Sequence, residues 1–187
     1  MAIQHTLYIS ATRLKKDTAL GGSVDDNLIM PYILLAQDMY ILPILGTDLD
    51  NKLKSEIQAG TLAGAYKTLV DDYIGDMLPG YSLYHALPYL RFKVENGNIY
   101  SKTSETGTAL STEEAQHFRE EVLNTASYYR ERLIDYIRNN TSSFPEYSTN
   151  SGADVDPSVE NYYAGMNLEK PIQGSKLTLR DFLSAGD

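Results

Sequence analysis

The 187-residue sequence has no cysteine, no tryptophan, four phenylalanines and three histidines. Without cysteine there is no disulfide framework, no thiolate zinc site and no cysteine nucleophile, and a reducing compartment is the natural setting. His5, His85 and His117 lie in three separate segments. None has a second histidine or an acid at the spacing a helical metal site needs, so no metal is expected. Phosphate loops and nucleophile elbows are missing too. Gly21-Gly22-Ser23 only precedes a helix, lacking the further glycine and the lysine that hold a phosphate, and no cofactor is expected. Positive charge is scarce: 16 Lys and Arg against 25 Asp and Glu give a net charge of −9. Such a balance speaks against a surface that grips nucleic-acid phosphates.

The remaining candidates for chemistry have plainer readings. His85 sits in the most apolar helical stretch and reads as a hydrogen-bonded core histidine. A hydrolase using His85 with an acidic neighbour is the enzymatic alternative, but no partner motif accompanies it. Asp71, Asp72 and Asp76, like Glu113, Glu114, Glu120 and Glu121, fall at helical spacings that make solvated stripes rather than paired catalytic carboxylates. Asp154, Asp156, Ser158 and Glu160 alternate like a calcium loop, but the turn glycine is missing and the twelfth position is Gly165. The chain reads as non-enzymatic, with no catalytic residue.

What is present is the composition of a folded protein, 42% hydrophobic and 22% charged. The pattern predicts a mainly α protein: a bundle of about four helices over residues 23–140, a small β-hairpin insertion near 92–102, and extended arms at 1–22 and 141–187. Thr6-Leu7-Tyr8-Ile9 suggests an edge strand or arm. A helix from about Val24 places Leu28, Pro31 or Tyr32, Leu35, Met39 and Leu42 on one face, with a kink at Pro31. Leu28 to Leu45 approaches membrane-span length, but Gln37, Asp38, Pro31 and Pro43 interrupt it, so it reads as a buried helix. Pro43 and Gly46 end this helix. Thr47 or Asp48 then caps a second, through Leu49, Leu53 and Ile57, that stops at Gly60.

A third helix starts near Gly64, with Pro79-Gly80 as a kink or break, and residues beyond Tyr81 are apolar almost all round, as in a central helix. Asn96-Gly97 suits the tip of a type I′ hairpin that would pair Val94 with Ile99. Ser111-x-x-Glu114 is a capping box that opens the clearest helix, through Ala115, Phe118, Val122, Ala126, Tyr129 and Leu133. From Thr141 the texture turns to Ser, Asn, Pro and Gly, and the domain is expected to end near Asn140. The arm beyond is too hydrophobic to be a solvating tail. Tyr147, Tyr162, Tyr163, Met166, Leu168, Ile172, Leu177, Leu179, Phe182 and Leu183 are its candidate protein-interface residues, and Asn96 and Gly97 are candidates at the hairpin tip. Of the fifteen tyrosines, Tyr66, Tyr73, Tyr84, Tyr129 and Tyr136 read as core and Tyr147, Tyr162 and Tyr163 as interface, since tyrosine joins apolar area to a polar tip.

Several runs carry a resemblance: Asp17-Thr18-Ala19-Leu20, Tyr40-Ile41-Leu42-Pro43-Ile44-Leu45-Gly46-Thr47, Leu53-Lys54-Ser55-Glu56-Ile57, Leu69-Val70-Asp71-Asp72-Tyr73-Ile74, Arg119-Glu120-Glu121-Val122 and Phe144-Pro145-Glu146-Tyr147. Over roughly residues 14 to 147 the chain resembles the head-to-tail connector family of tailed bacteriophages, most like the ring proteins of crAss-like phages. The resemblance implies an α-helical adaptor in the virion neck, assembled in the host cytoplasm, whose copies form a ring, twelvefold in expectation. Its implied partners are the portal protein, neighbouring copies of itself and a downstream tail or neck protein. Genome DNA would pass through without sequence-specific binding, and no membrane is implied. The alternative is a helical interaction module or regulator that holds a partner with its C-terminal arm.

Overall fold

The structure, a computed structural model, describes residues 5–95, 98–101, 111–148, 151 and 154–157. It is mainly helical. Ser10 caps α1 (Ala11–Asp17), its Oγ accepting the Arg13 N–H at 3.1 Å. Tyr8, Ile9 and Leu14 are buried in the core. Part of the segment expected as an extended arm or edge strand is therefore a helix packed on the domain. Its apolar residues need cover, and its backbone finds partners there. The Tyr8 N–H donates to Gln37 Oε1 at 2.9 Å, Gln37 Nε2 donates to the Thr6 carbonyl at 3.2 Å, and the Tyr8 hydroxyl donates to Asp50 Oδ1 at 2.7 Å. Burial, and then the Asp50 carboxylate, hold the Tyr8 phenol well above its ordinary pKa.

Helix α2 (Asp26–Ala36) starts at Asp25, whose carboxylate accepts the Asn27 N–H at 2.9 Å. It continues past Pro31 into a π turn, Gln37–Ile41, where the Leu42 N–H bonds to the Gln37 carbonyl. Helix α3 (Leu42–Ala59) follows, interrupted at Gly46 with φ 75° and ψ 161° and closed by left-handed Gly60, whose N–H reaches the Glu56 and Ile57 carbonyls. α4 (Gly64–Thr68) passes through a second π turn, Leu69–Ile74, into α5 (Gly75–Arg91). No break occurs at Pro79-Gly80. The irregularity lies one to two turns earlier, where the Gly75 N–H bonds to the Val70 carbonyl, and the neighbouring Asp71 carbonyl accepts Arg13 Nη2 at 2.9 Å. Gly80 serves close packing instead: a Cβ there would lie 2.8 Å from that of Ala126.

α5 is the central helix, packed against α1, α2 and α6 (Thr112–Asn139). Beyond α5 the backbones of β1 (Phe92–Glu95) and β2 (Asn98–Ser101) pair antiparallel, with Val94 opposite Ile99. Asn96 and Gly97 lie outside the described residues. α6 opens on a complete capping box: Ser111 Oγ accepts the Glu114 N–H at 3.1 Å and Glu114 Oε2 accepts the Ser111 N–H at 2.9 Å. These bonds pull the Glu114 carboxyl below its ordinary pKa. Only the later turns of α6 reach the core, through Ala126, Leu133, Ile134 and Ile137.

The domain does not end at Asn140. A 3-10 turn, Thr141–Ser143, and α7 (Pro145–Ser148) keep the chain on the domain, with α7 against α3. Phe144 is fully buried, with its ring 5.5 Å from Tyr66 and 6.0 Å from Tyr136. A polar composition marked this segment as an arm, but one buried aromatic outweighs several exposed serines. Tyr66 donates to Glu146 Oε2 at 2.6 Å, and partial burial with this bond pushes its pKa up to about 12. Tyr147, expected at an interface, packs against the domain's own core. The chain then returns to the Gly46 turn. The Thr47 N–H donates to the Val155 carbonyl and the Val155 N–H to Thr47 Oγ1, both at 2.8 Å, and Asp48 accepts both the N–H and the hydroxyl of Ser151.

A Cβ on Gly46 would sit 2.6 Å from the Pro157 ring, whereas Gly60, with φ 66°, faces open space. Both positions need left-handed backbone, so Gly60→Ala should cost about 1 kcal/mol, and Gly46→Ala about 2–4 kcal/mol because it also pushes Pro157 off the turn. Urea denaturation of the two variants checks this; equal losses would mean that the Pro157 contact carries no energy.

Candidate interaction surfaces

The clearest surface lies on α2. Ile29, Ile33 and Ala36 face the core, while Leu28 and Leu35 are 48% and 39% exposed. Of the residues that the spacing set on one face of a buried helix, Leu28 and Leu35 are therefore on the outer side, while Met39 packs against the core. Both faces of α2 are apolar, and periodicity cannot tell which one finds the core. The outer stripe continues onto α5 through Tyr32, whose ring stacks on that of Tyr89 with centroids 5.1 Å apart; Tyr89 is 64% exposed. Burial, then Tyr89, raise the Tyr32 pKa. Asp26–Ala59 is long and apolar enough to cross a membrane, but Gly46 interrupts it and 44% of its most apolar window is buried in the domain.

A second surface is a groove of about 480 Å³ between α5 and α6, closed at one end by the residues after α1. Pro79, Gly80, Leu83, Val122 and Ala126 form its apolar lining, and Phe118, 39% exposed, stands over it. The sequence placed Phe118 on the buried face of α6, but the helix overshoots the core at its N-terminal end. Asp17, Asp76 and Glu121 supply the groove's carboxylates. Asp17 is bonded by Arg13 Nε at 3.2 Å; Asp76 lies 3.2 Å from Arg132 and 3.9 Å from Arg13. The Glu121 carboxylate makes no ion pair with another described residue. Nothing in the sequence announced this groove, because its walls come from residues about 40 positions apart.

Of the residues singled out from the sequence, Tyr162, Tyr163, Met166, Leu168, Ile172, Leu177, Leu179, Phe182 and Leu183 lie outside the described residues, as do Asn96 and Gly97. Tyr66, Tyr73, Tyr129 and Tyr136 pack against the core, with Tyr73 stacked on Tyr136 at 3.9 Å. Tyr84 is half-buried beneath the Arg119 guanidinium, 4.0 Å from its ring centre. No group of three or more His, Asp or Glu that could hold a metal occurs among the described residues.

His85 sits in this aromatic packing. Its Nε2 is 3.0 Å from the Tyr40 hydroxyl, and its ring meets Tyr84 edge-on at 5.1 Å. Burial, reinforced by the positive charge of Arg119, lowers its pKa below the ordinary 6.5. The unfolded chain therefore binds this proton first, so His85 contributes stability that is present above about pH 6.5 and is lost as pH falls toward its folded value. Urea midpoints measured between about pH 7 and pH 5 should fall more steeply for the native protein than for His85→Gln. Parallel slopes would mean that His85 is not kept neutral by its surroundings.

No curated protein and no solved structure matches this chain. Residues 41–157 match the model of a family of unknown function, DUF6712. The matched stretch runs from the π turn before Pro43 to the proline that closes on Gly46, more than half of the chain, and the protein thus belongs to the DUF6712 family.

Proposed function

We propose that the protein is a structural component of a bacteriophage virion, forming an oligomeric ring that joins the portal to the tail and lets genome DNA pass. The observation that carries this reading is α2, a helix apolar on both sides. Its inner side holds the core, and its outer side leaves Leu28, Leu35 and the Tyr32–Tyr89 stack in solvent. A contiguous exposed apolar stripe of this kind favours burial against another protein surface. A ring supplies one naturally, because each copy then meets the same surfaces on its two neighbours. The resemblance to connector proteins supports the same conclusion. The net charge of −9 suits a channel through which DNA slides rather than sticks.

In this reading the strand pair β1–β2 and its tip at Asn96-Gly97 form a hairpin insertion that reaches the channel or the protein below. The C-terminal residues beyond Pro157 lock onto the portal or a neighbour. The other reading, a helical regulator holding one partner through its C-terminal arm, predicts a small fixed complex.

Native mass spectrometry of the protein, alone and with the portal protein encoded in the same genome, separates these. Many copies, twelve in expectation, should load onto the portal oligomer. Leu35→Asp should abolish loading while the protein still unfolds cooperatively in urea, losing about 1–2 kcal/mol through helix propensity and partial burial. A protein that ignores a folded portal would belong to the regulator class.

A further inference from the structure

We propose that the groove between α5 and α6 is the docking site for this chain's own C-terminal segment, Lys176 to Leu183. This goes beyond ring formation, since the groove and its occupant can be tested whether or not copies assemble.

The groove has an apolar lining of Pro79, Leu83, Val122 and Ala126, with carboxylates at its edges. Its volume of about 480 Å³ falls in the range of roughly 300–1,000 Å³ that holds a drug-sized ligand, which is room for a few apolar side chains of a segment lying across it. Two of the three carboxylates are already balanced: Asp17 by Arg13, and Asp76 by Arg132 with Arg13 nearby. Glu121 stands beside Val122 without such a partner among the described residues. The site therefore asks for apolar side chains with a cation beside them.

One segment of the chain outside the described residues has that chemistry. From Lys170 to Arg180 it carries three cations and no acid, although the chain as a whole is at −9. Within that run Lys176-Leu177-Thr178-Leu179-Arg180 alternates charged or polar with apolar residues; Asp181, Phe182 and Leu183 follow, leaving Lys176 to Leu183 with two cations and one acid. An extended run of this pattern turns Leu177 and Leu179 to one side and Lys176 and Arg180 to the other. With the leucines on the lining, the long Lys176 and Arg180 side chains start on the outer side and reach back over the groove edge toward Glu121.

The chain is also long enough. Pro157 is held against Gly46, and eighteen residues separate it from Lys176. Extended, that stretch spans up to about 60 Å, against a radius of gyration of about 15 Å for a domain of this size. It can reach its own groove or that of the next copy.

The absence of cysteine makes the test clean, because any introduced pair is the only one. In the full-length protein, Thr125→Cys at the groove edge is combined with Leu179→Cys, and Ser55→Cys on α3 with Leu179→Cys serves as control. Under mild oxidation the groove pair should form its disulfide about tenfold faster than the control, reflecting the higher local concentration of a docked segment. Arg180→Glu should reduce that rate several-fold, and Glu121→Lys added to it should restore it. Equal rates for groove and control pairs, or a groove rate untouched by Arg180→Glu, would overturn the assignment. Whether the disulfide joins one chain or two is read on a denaturing gel. A disulfide within one chain in a protein that forms no ring would keep the groove assignment and count against the ring. A ring with no groove disulfide would do the reverse.

Discussion

The left-handed turn at Gly46 is the constraint on which the rest of the domain depends. Without it, Asp26–Ala59 would run on as one helix of about 50 Å at 1.5 Å per residue. With it, the first half stays on α5 and the second half offers its start, Thr47 and Asp48, to the chain that returns from α6. Only a residue without a Cβ combines that φ with the Pro157 ring at van der Waals distance. One glycine thus joins the beginning of the DUF6712 region to its end, and both boundaries of the family match fall close to this contact.

Buried polar groups fix the N-terminal segment to the same region. Gln37 and Asp50 are buried, and each has a partner in the stretch before α1: Gln37 with the backbone of Thr6 and Tyr8, Asp50 with the Tyr8 hydroxyl. Lys54 completes the second site at 2.7 Å from Asp50. Removing either partner would strand a buried donor or acceptor, which costs more than the bond itself contributes. The first residues are therefore part of the domain, although their sequence looks like an arm.

The same economy of partners separates the domain's surfaces. The arginines around Asp17 and Asp76 are used to hold α1, α5 and α6 together. The outer stripe of α2 and the edge of the α5–α6 groove at Phe118 and Glu121 are not used in this way. Packing has satisfied one part of the surface and left two others with apolar area in solvent, and these are the places where a second protein segment would bury the most.

Local chemistry written in consecutive residues was legible from the sequence: the Ser111–Glu114 capping box, the helix stops at Gly46 and Gly60, the apolar character of α5 and the mainly helical class. These depend on contacts within a few residues, so the amino acids on the spot determine them. Which face of α2 is inside was decided by the tertiary structure, because Leu28, Tyr32 and Leu35 are as apolar as Ile29, Ile33 and Ala36. The π turns, the attachment of Phe144, Tyr147, Ser151, Val155 and Pro157 to the domain and the α5–α6 groove were decided there too. They arise where distant segments meet, at Gly80 against Ala126, Phe144 against Tyr66 and Pro157 against Gly46, and no periodicity within one helix carries the identity of a partner far along the chain.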